Sequence, residues 1–515
     1  MKASIFNEVL GPVMHGPSSS HTAASYFIGS MIRNLLDDEP ETVTIAFAEG
    51  GSYAQVYSQQ GADLGFTTGL MGWPITDQRF FDSLEHARDS GLSISFTVRA
   101  LDWDDHPNAI EIRGASKGSR EIHVDARSTG GGAVELRRLN GREIHVTGDA
   151  HDIIVDAESR VASEIAGILA RDGQVLREPS VEERDGASLV TVQRLKPLDE
   201  IASNELNGVK GVRSIWKTRP TRFPKPGEPP FHSGAGLVEY AEKEGCTLGD
   251  AALDYEAALL DIPRGEAIDE MWRRYEIMAR AVEQGLRGEI GGMQLLEPSA
   301  QEIYEREERG DLAIGGLHTK AAARALAAMH VNSSMGVVCA APTGGAAGTI
   351  PGVITTLVEE KGLDKNQTVK ALFAAGAVGL VLATRGTFAA EVAGCQVEIG
   401  AAGAMSSAAV VEAVGGSVRQ ALDAAAISFQ NTMGSPCDLV QGIVEIPCHT
   451  RNAVAASSAF VCADLILGGY VNPVPLDETI DAVMEVGRML PRELRCTALG
   501  GLATTPSALA LKRLR

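Results

Sequence analysis

Aromatic residues make up only 5% of this chain of 515 residues, and cysteine occurs only seven times. Six of the seven cysteines fall in the second half, without the dense spacing of a disulfide-stapled scaffold, so the thiols read as core residues or metal ligands rather than cross-links. Positive charge is also short. With 46 Lys and Arg against 67 Asp and Glu the formal net charge is −21, which repels phosphate backbones and anionic lipid and argues against nucleic-acid or membrane-surface binding as the main activity. The longest apolar run, Ala371 to Ala383, falls short of the roughly 20 residues a bilayer span needs. The opening residues carry Glu8 and lead into Gly11-Pro12 with no secretory pattern, so a cytoplasmic location is expected. Internal repeats and low-complexity tracts are lacking too.

What remains is ample for folding. An apolar content of 44% over this length implies two or three cores. The first 142 residues read as mixed α and β, with a helix-like run from Ala23 to Leu36 and strand patterns at Thr42 to Phe47, Ile94 to Arg99, Ala109 to Arg113, Ser119 to Asp125 and Ala133 to Arg138. Residues 143–218 then alternate as strand (Glu143 to Val155), helix (Val161 to Asp172), two strands (Gln174 to Glu182, Ser188 to Arg194), helix (Leu198 to Leu206) and strand (Val212 to Lys217). This βαββαβ order is shared by ferredoxin-like modules. Its loop Asn207-Gly208-Val209-Lys210-Gly211 resembles ACT-type amino-acid sensor domains, and a purely structural spacer fits the pattern equally well. Pro220 to Pro230 is a semi-rigid Pro-rich linker, placed over 219–234. Beyond it, 235–515 reads as all-α: Leu248 to Leu286, Lys320 to Ala328, Val369 to Ala383 and Ser406 to Ala426. The expected fold class is therefore multidomain: an N-terminal α+β domain, an ACT-like βαββαβ module and an all-α catalytic helical domain.

The chemistry collects in the breaks. Ser18, Ser19 and Ser20 precede the first helix, where Ser20 or Thr22 could cap it and free N–H groups could seat a carboxylate. His15 and His21 bracket them and titrate near neutral pH. A second break offers Asn332, Ser333 and Thr343 as hydroxyl and amide ligands. Two cysteines that each follow a proline, Cys437 after Pro436 and Cys448 after Pro447, should sit on backbone that is hard to move. With Cys395 they form C-x41-C-x10-C, and Arg451 lies close behind. As bare spacing this leaves buried, unreactive thiols as good a reading as metal ligation. The pair Ser116-Lys117 with Gly130-Gly131-Gly132 does not read as a pyridoxal-phosphate site, because both lie in hairpin turns a dozen residues apart.

Taken together these segments resemble the iron–sulfur-dependent L-serine dehydratases over most of the chain. The resemblance rests on Gly16-Pro17-Ser18-Ser19-Ser20-His21-Thr22, His106-Pro107-Asn108 and Gly130-Gly131-Gly132 in the first part. In the second it rests on Asn332-Ser333-Ser334-Met335-Gly336, Ala341-Pro342-Thr343, Gly394-Cys395-Gln396, Cys437-Asp438, Pro447-Cys448 with Arg451-Asn452, and Gly500-Gly501-Leu502-Ala503. It implies small (beta) and catalytic (alpha) parts fused in one chain, and a [4Fe–4S] cluster on Cys395, Cys437 and Cys448 with one iron open to substrate. It further implies His21, ahead of His15, as base or proton shuttle, with Ser18, Ser19, Ser20, Asn332, Ser333, Thr343 and Arg451 binding substrate. Water would be eliminated from L-serine or a close β-hydroxy amino acid, giving pyruvate and ammonia. The expected partners are that small molecule and a second copy of the chain in a homodimer, with neither nucleic acid nor membrane. The chain departs from the family pattern in two places. Gln59-Gln60-Gly61-Ala62-Asp63 replaces a His-Gly-Thr-Asp-like segment, and the loop after Thr343 lacks a cysteine, with Cys339 a few residues earlier. The alternatives are a related [4Fe–4S] lyase acting on a hydroxy acid or on cysteine, an amino-acid-binding regulator without a cluster, and a zinc hydrolase.

Overall fold

A computed structural model describes residues 2–103 and 106–514. In the first part, strands β2 (Pro40–Ala48), β3 (Ser93–Arg99), β4 (Ala109–Ser116), β5 (Glu121–Gly130), β6 (Ala133–Leu139) and β7 (Arg142–Val146) form a six-stranded sheet of order β3-β2-β4-β5-β6-β7. The β2–β3 pair is parallel and the other pairs are antiparallel. Ile45, Phe47, Ile110, Ile112, Val124 and Leu136 point from this sheet into a core shared with helix Ala24–Leu36, the in-and-out alternation expected of a sheet covered on one face. Phe47 stacks on Tyr53 with ring centroids 4.9 Å apart.

The second sheet, β8 (His151–Glu158), β9 (Val175–Arg184), β10 (Ala187–Arg194) and β11 (Val212–Lys217), is antiparallel in the order β11-β8-β10-β9. Helices Ala162–Ala170 and Glu200–Gly208 bury Ile165, Ile168, Leu169 and Leu206 against it. The βαββαβ arrangement is thus present. One boundary differs from expectation: Glu143 to Val155 is not one strand but the end of β7 and the start of β8, separated by a turn at Gly148 with φ +76°.

The second half is helical, and two long runs are broken where backbone chemistry demands it. Leu248 to Leu286 divides into Leu248–Leu260 and Arg264–Leu286 at Pro263, which cannot continue a helix. The run from Ser406 to Ala426 spans parts of Ile399–Ala413 and Val418–Thr432, separated at Gly415 and Gly416. Helix Lys365–Arg385 has the length and apolarity of a bilayer span, but 78% of its apolar window is buried inside the protein, as suits a core helix. Its Gly376 and Gly379 admit the N-terminal segment. A Cβ at 379 would lie 2.1 Å from Val9, and one at 376 would lie 2.9 Å from Ile5.

Two findings amend the expected partition. Residues Ile5, Phe6, Val9 and Leu10 belong to the helical core, anchored because buried Glu256 accepts hydrogen bonds from Ser4 Oγ and from the Ile5 and Phe6 N–H groups. The helical half is also not purely α: β12 (Val337–Cys339) pairs antiparallel with β1 (Val13–His15). The Pro-rich segment packs rather than spans, since Asn7 exchanges two hydrogen bonds with the Phe223 backbone and Arg222 pairs with Glu8.

Candidate active site

The hydroxyl-rich turn folds as one wide, π-type turn, Ser19–Ala23, running into helix Ala24–Leu36, a geometry that recurs at functional sites. Its cap is Ser18, not Ser20 or Thr22: Ser18 Oγ accepts from the His21 N–H. That leaves the other hydroxyls free to reach sideways. Ser20 Oγ donates to Glu391 Oε1 at 2.6 Å, 371 residues away in sequence. Ser19 Oγ accepts from the Gly344 N–H, and Asn332 Nδ2 donates to the Pro17 carbonyl. The turn is therefore stitched to the helical half by its own polar groups. Gly16 permits the approach, because a Cβ there would lie 2.0 Å from the Asn332 carbonyl oxygen.

His21 is fully buried at the centre of this seam. Nδ1 faces Ser20 Oγ at 3.0 Å, Ser18 Oγ at 3.2 Å and Glu391 Oε1 at 3.6 Å, while Nε2 faces Ser52 Oγ at 3.2 Å. Tyr53 packs on the ring, centroids 4.4 Å apart, and ties its own hydroxyl to the Ser20 carbonyl. Burial holds the imidazole neutral, lowering its pKa to about 4 against the opposing pull of Glu391. Glu391 Oε2 and Asn332 Oδ1 are buried beside the turn without hydrogen-bond partners, two polar atoms for which the fold supplies no mate, while Thr343 is turned toward Glu398. Such groups are costly unless a ligand satisfies them.

The thiols form a second group, in the helical half. Cys395 sits in a short turn after Gly394, its N–H bonded to the Ser435 carbonyl. Cys437 is fixed by a bridge to Arg495, with backbone bonds to Leu494 and Cys496. Cys448 opens helix Cys448–Leu467 behind Pro447. They influence one another electrostatically. Burial, then Glu398, pushes the Cys395 thiol up to about 12. A hydrogen bond with Cys496, then burial and nearby charges including Cys395, raises Cys437 well above its ordinary value, and burial followed by Cys395 raises Cys448. Neutral thiols of this kind give up their protons when a cation replaces them. Arg451, held by Asp438 Oδ1 at 3.0 Å and the Pro436 carbonyl at 2.7 Å, puts its charge beside Cys395 and Cys448.

Three buried thiols with a guanidinium beside them are the ligand chemistry of soft metals and of iron–sulfur centres. Ligands of one tetrahedral zinc lie about 2.3 Å from it and so within about 4 Å of one another. Among the described residues, the group of His, Cys, Asp and Glu atoms converging within 4.8 Å is Glu111–His123–Asp125, on the six-stranded sheet. There Arg99 and Arg113 already engage Glu111, and Arg138 pairs with Asp125, leaving little charge for a cation to neutralise.

Some expected residues lie elsewhere. His15 has Nδ1 on the Met335 carbonyl and Nε2 on the Asp77 carbonyl, stacked on Phe80, so both nitrogens are committed to backbone. Ser333 bonds the Val444 carbonyl and His449 Nε2, away from the hydroxyl cluster. Arg451 stands with the thiols rather than with Ser18 to Ser20. Conversely, Glu391, Glu398, Ser52 and Cys496 lie among these groups without having been singled out. Burial and the Glu391 charge push Glu398 up to about 8. Gln60, at the departure from the family pattern, is buried with its amide 3.8 Å from Cys496 Sγ. Cys339 packs near Leu10, outside this group.

A buried histidine and buried carboxylates where two parts of one chain meet, with buried thiols in the helical part, make a site for acid–base and thiol chemistry. The family described as "Serine dehydratase alpha chain" matches residues 174–503. A probable L-serine dehydratase alpha chain of Bacillus subtilis is 35% identical over 283 residues, covering 55% of this chain and 94% of that protein. The L-serine dehydratase alpha chain of Peptoniphilus asaccharolyticus is 33% identical over 278 residues, covering 54% and 95%. The probable beta chain of B. subtilis is 31% identical over 219 residues, covering 42% of this chain and 97% of its own length. The chain belongs to the L-serine dehydratase family, with beta and alpha parts in one polypeptide, and is an enzyme of the ammonia-lyase type.

Proposed function

We propose that the enzyme dehydrates L-serine, the activity named for its relatives, to an enamine that hydrolyses in solution to pyruvate and ammonia. The observation that carries this is the hydrogen-bonded line His21–Ser20–Glu391 across the two parts, ending in a carboxylate oxygen with no partner. A zwitterionic amino acid supplies the missing mates. Its ammonium fits Glu391 Oε2 and Asn332 Oδ1, both acceptors without a donor, and its carboxylate fits Ser18 and the turn's N–H groups. A hydroxy acid without the amine would leave Glu391 unpaired, which favours amino-acid substrates.

His21 Nδ1, neutral at rest, takes the Cα proton, and Ser20 Oγ and Glu391 Oε1 receive the resulting N–H. A [4Fe–4S] cluster on Cys395, Cys437 and Cys448 would leave one iron without a protein thiolate and supply Lewis acidity toward the leaving hydroxyl. Glu398, protonated at neutral pH, holds a proton for the departing oxygen. Arg451 offsets the charge of the thiolates. The βαββαβ module would serve as an ACT-like sensor, with an effector in the cleft of about 420 Å³ between Glu143–His145 and Arg177–Gln193.

The test is a substrate panel on anaerobically purified full-length protein, with pyruvate followed by a coupled dehydrogenase. L-serine should turn over fastest, ahead of L-cysteine and of hydroxy acids. Absence of pyruvate from L-serine, with turnover of a hydroxy acid, would reverse the assignment.

A further inference from the structure

The hydrogen bonds around His21 have a direction that can be traced from one end. Asn108, fully buried, donates through Nδ2 to the Ser128 carbonyl at 3.4 Å. The opposite amide orientation would set its oxygen against that carbonyl, so Oδ1 must face Ser52. Ser52 Oγ donates its single proton to Asn108 Oδ1. Toward His21 Nε2, 3.2 Å away, Ser52 can therefore only accept, and Nε2 must carry the hydrogen. A neutral imidazole has one N–H, which leaves the lone pair on Nδ1. At rest the Ser18 hydroxyl can satisfy that lone pair. The Ser20 proton is committed to Glu391, so Ser20 Oγ and Glu391 Oε1 wait beside Nδ1 as acceptors for a hydrogen that is not yet there.

We propose that Ser52 and Asn108 are positioning residues that lock His21 as the Nε2–H tautomer, making Nδ1 the nitrogen that receives the substrate's Cα proton. This rests on the reading of His21 as the base. The proton moves from Cα to Nδ1 and the electron pair it leaves expels the β-hydroxyl. The imidazolium then has an acceptor on each side: Ser52 Oγ at Nε2, and Ser20 Oγ with Glu391 at Nδ1. The opposite tautomer would present a hydrogen to the substrate and point a bare nitrogen at an oxygen with no proton to give. It would be inactive, and wrong-tautomer histidines are the loss expected when an orienting partner is removed.

Two-bond proton–nitrogen correlation spectra of the full-length protein carrying nitrogen-15 histidine read the tautomer directly, with the His21 signals assigned by their absence in His21→Gln. The wild type should show His21 protonated on Nε2 and bare on Nδ1. Ser52→Ala should mix the tautomers and lower kcat roughly tenfold or more, with KM for serine and the iron and sulfide content close to wild type, and Ser52→Thr, which keeps the hydroxyl, should restore both tautomer and rate. A wild-type His21 protonated on Nδ1, or a Ser52→Ala enzyme that keeps one tautomer and full kcat, overturns the proposal. Serine dehydration by His21→Gln at the wild-type rate overturns it through the base assignment, while the spectrum still reports on the hydrogen-bond chain. A protein that shows the Nε2–H tautomer but turns over no β-hydroxy amino acid removes the proposed function instead.

Discussion

Replacing Glu391 by glutamine removes one buried charge and almost nothing else. The Gln Oε1 still accepts from Ser20, and the new amide group occupies the place of Oε2, which has no partner in the free protein. What disappears is the attraction between a carboxylate and the imidazolium that forms at Nδ1, 3.6 Å away. At an effective dielectric constant of about 20, that separation corresponds to about 4 to 5 kcal/mol, or roughly a thousandfold in kcat. Loss of the ammonium contact should appear separately, as a rise in KM. Burial has already lowered His21 to about 4 and Glu391 is the influence that raises it. The acid limb of kcat/KM, below which His21 is protonated and cannot act as base, should therefore move to lower pH in the variant. Steady-state pyruvate formation across pH measures all three quantities. A kcat within tenfold of wild type, or an acid limb that moves up, would refute the argument that Glu391 stabilises the protonated base.

Other expectations follow from the same structure. Cys395→Ser, Cys437→Ser and Cys448→Ser should each lose iron, sulfide and activity together; full iron content and turnover in all three would falsify the ligand assignment. Gly16→Ala places a Cβ against the Asn332 backbone and should cost about 1 to 3 kcal/mol of stability, lowering the midpoint of thermal unfolding along with kcat; an unchanged kcat would mean that the close approach of the turn does not matter. Asp152, buried between Gln193 and Thr218, is pushed up to about 7, mainly by burial. Folded protein therefore binds the proton more tightly than unfolded chain, and stability falls as pH rises from about 4 to about 7, by roughly 4 kcal/mol at most. Asp152→Asn should flatten that fall in urea midpoints measured against pH, and an unaltered slope would show that another group is responsible.

The parts of the site readable in the sequence were those with local signatures: three consecutive serines before a helix, and cysteines behind prolines. The strands of the first sheet were legible for the same reason, because alternation over five or more residues is a local property. Glu391 and Glu398 escaped notice because Ala389-Ala390-Glu391-Val392 and Val397-Glu398-Ile399 look like ordinary helix and turn. A glutamate there becomes unusual only when tertiary packing buries it against partners hundreds of residues away. Cys496 was hidden in a short irregular stretch where its own φ is +60°, a conformation no sequence rule anticipates for cysteine. The two histidines separate only in three dimensions. The resemblance ranks His21 ahead of His15, and the carbonyls at Met335 and Asp77 give the physical reason, since they occupy both nitrogens of His15. The helix boundaries missed at Pro263 and Gly415 were marked by breakers, but a continuous apolar periodicity ran across them.

The seam between the two parts sets a further condition on activity. β1 pairs with β12, the Gly16 N–H bonds the Gly336 carbonyl, Asn332 holds Pro17 and Gly344 holds Ser19, so His21 and the thiols keep their relative placement only while the two surfaces are docked. The B. subtilis relatives carry the corresponding surfaces on an alpha and a beta chain. Joining them by a short tether, itself packed along the N-terminal segment, makes that docking intramolecular, with an effective concentration of order millimolar for a short linker. Fusion then changes no contact at the site but removes its dependence on protein concentration. Specific activity should stay constant on dilution to roughly nanomolar protein, whereas the two parts expressed separately should lose activity as they are diluted below their dissociation constant; a fused enzyme whose activity falls in proportion to dilution would show that some contact between copies of the chain, not the seam within it, completes the site.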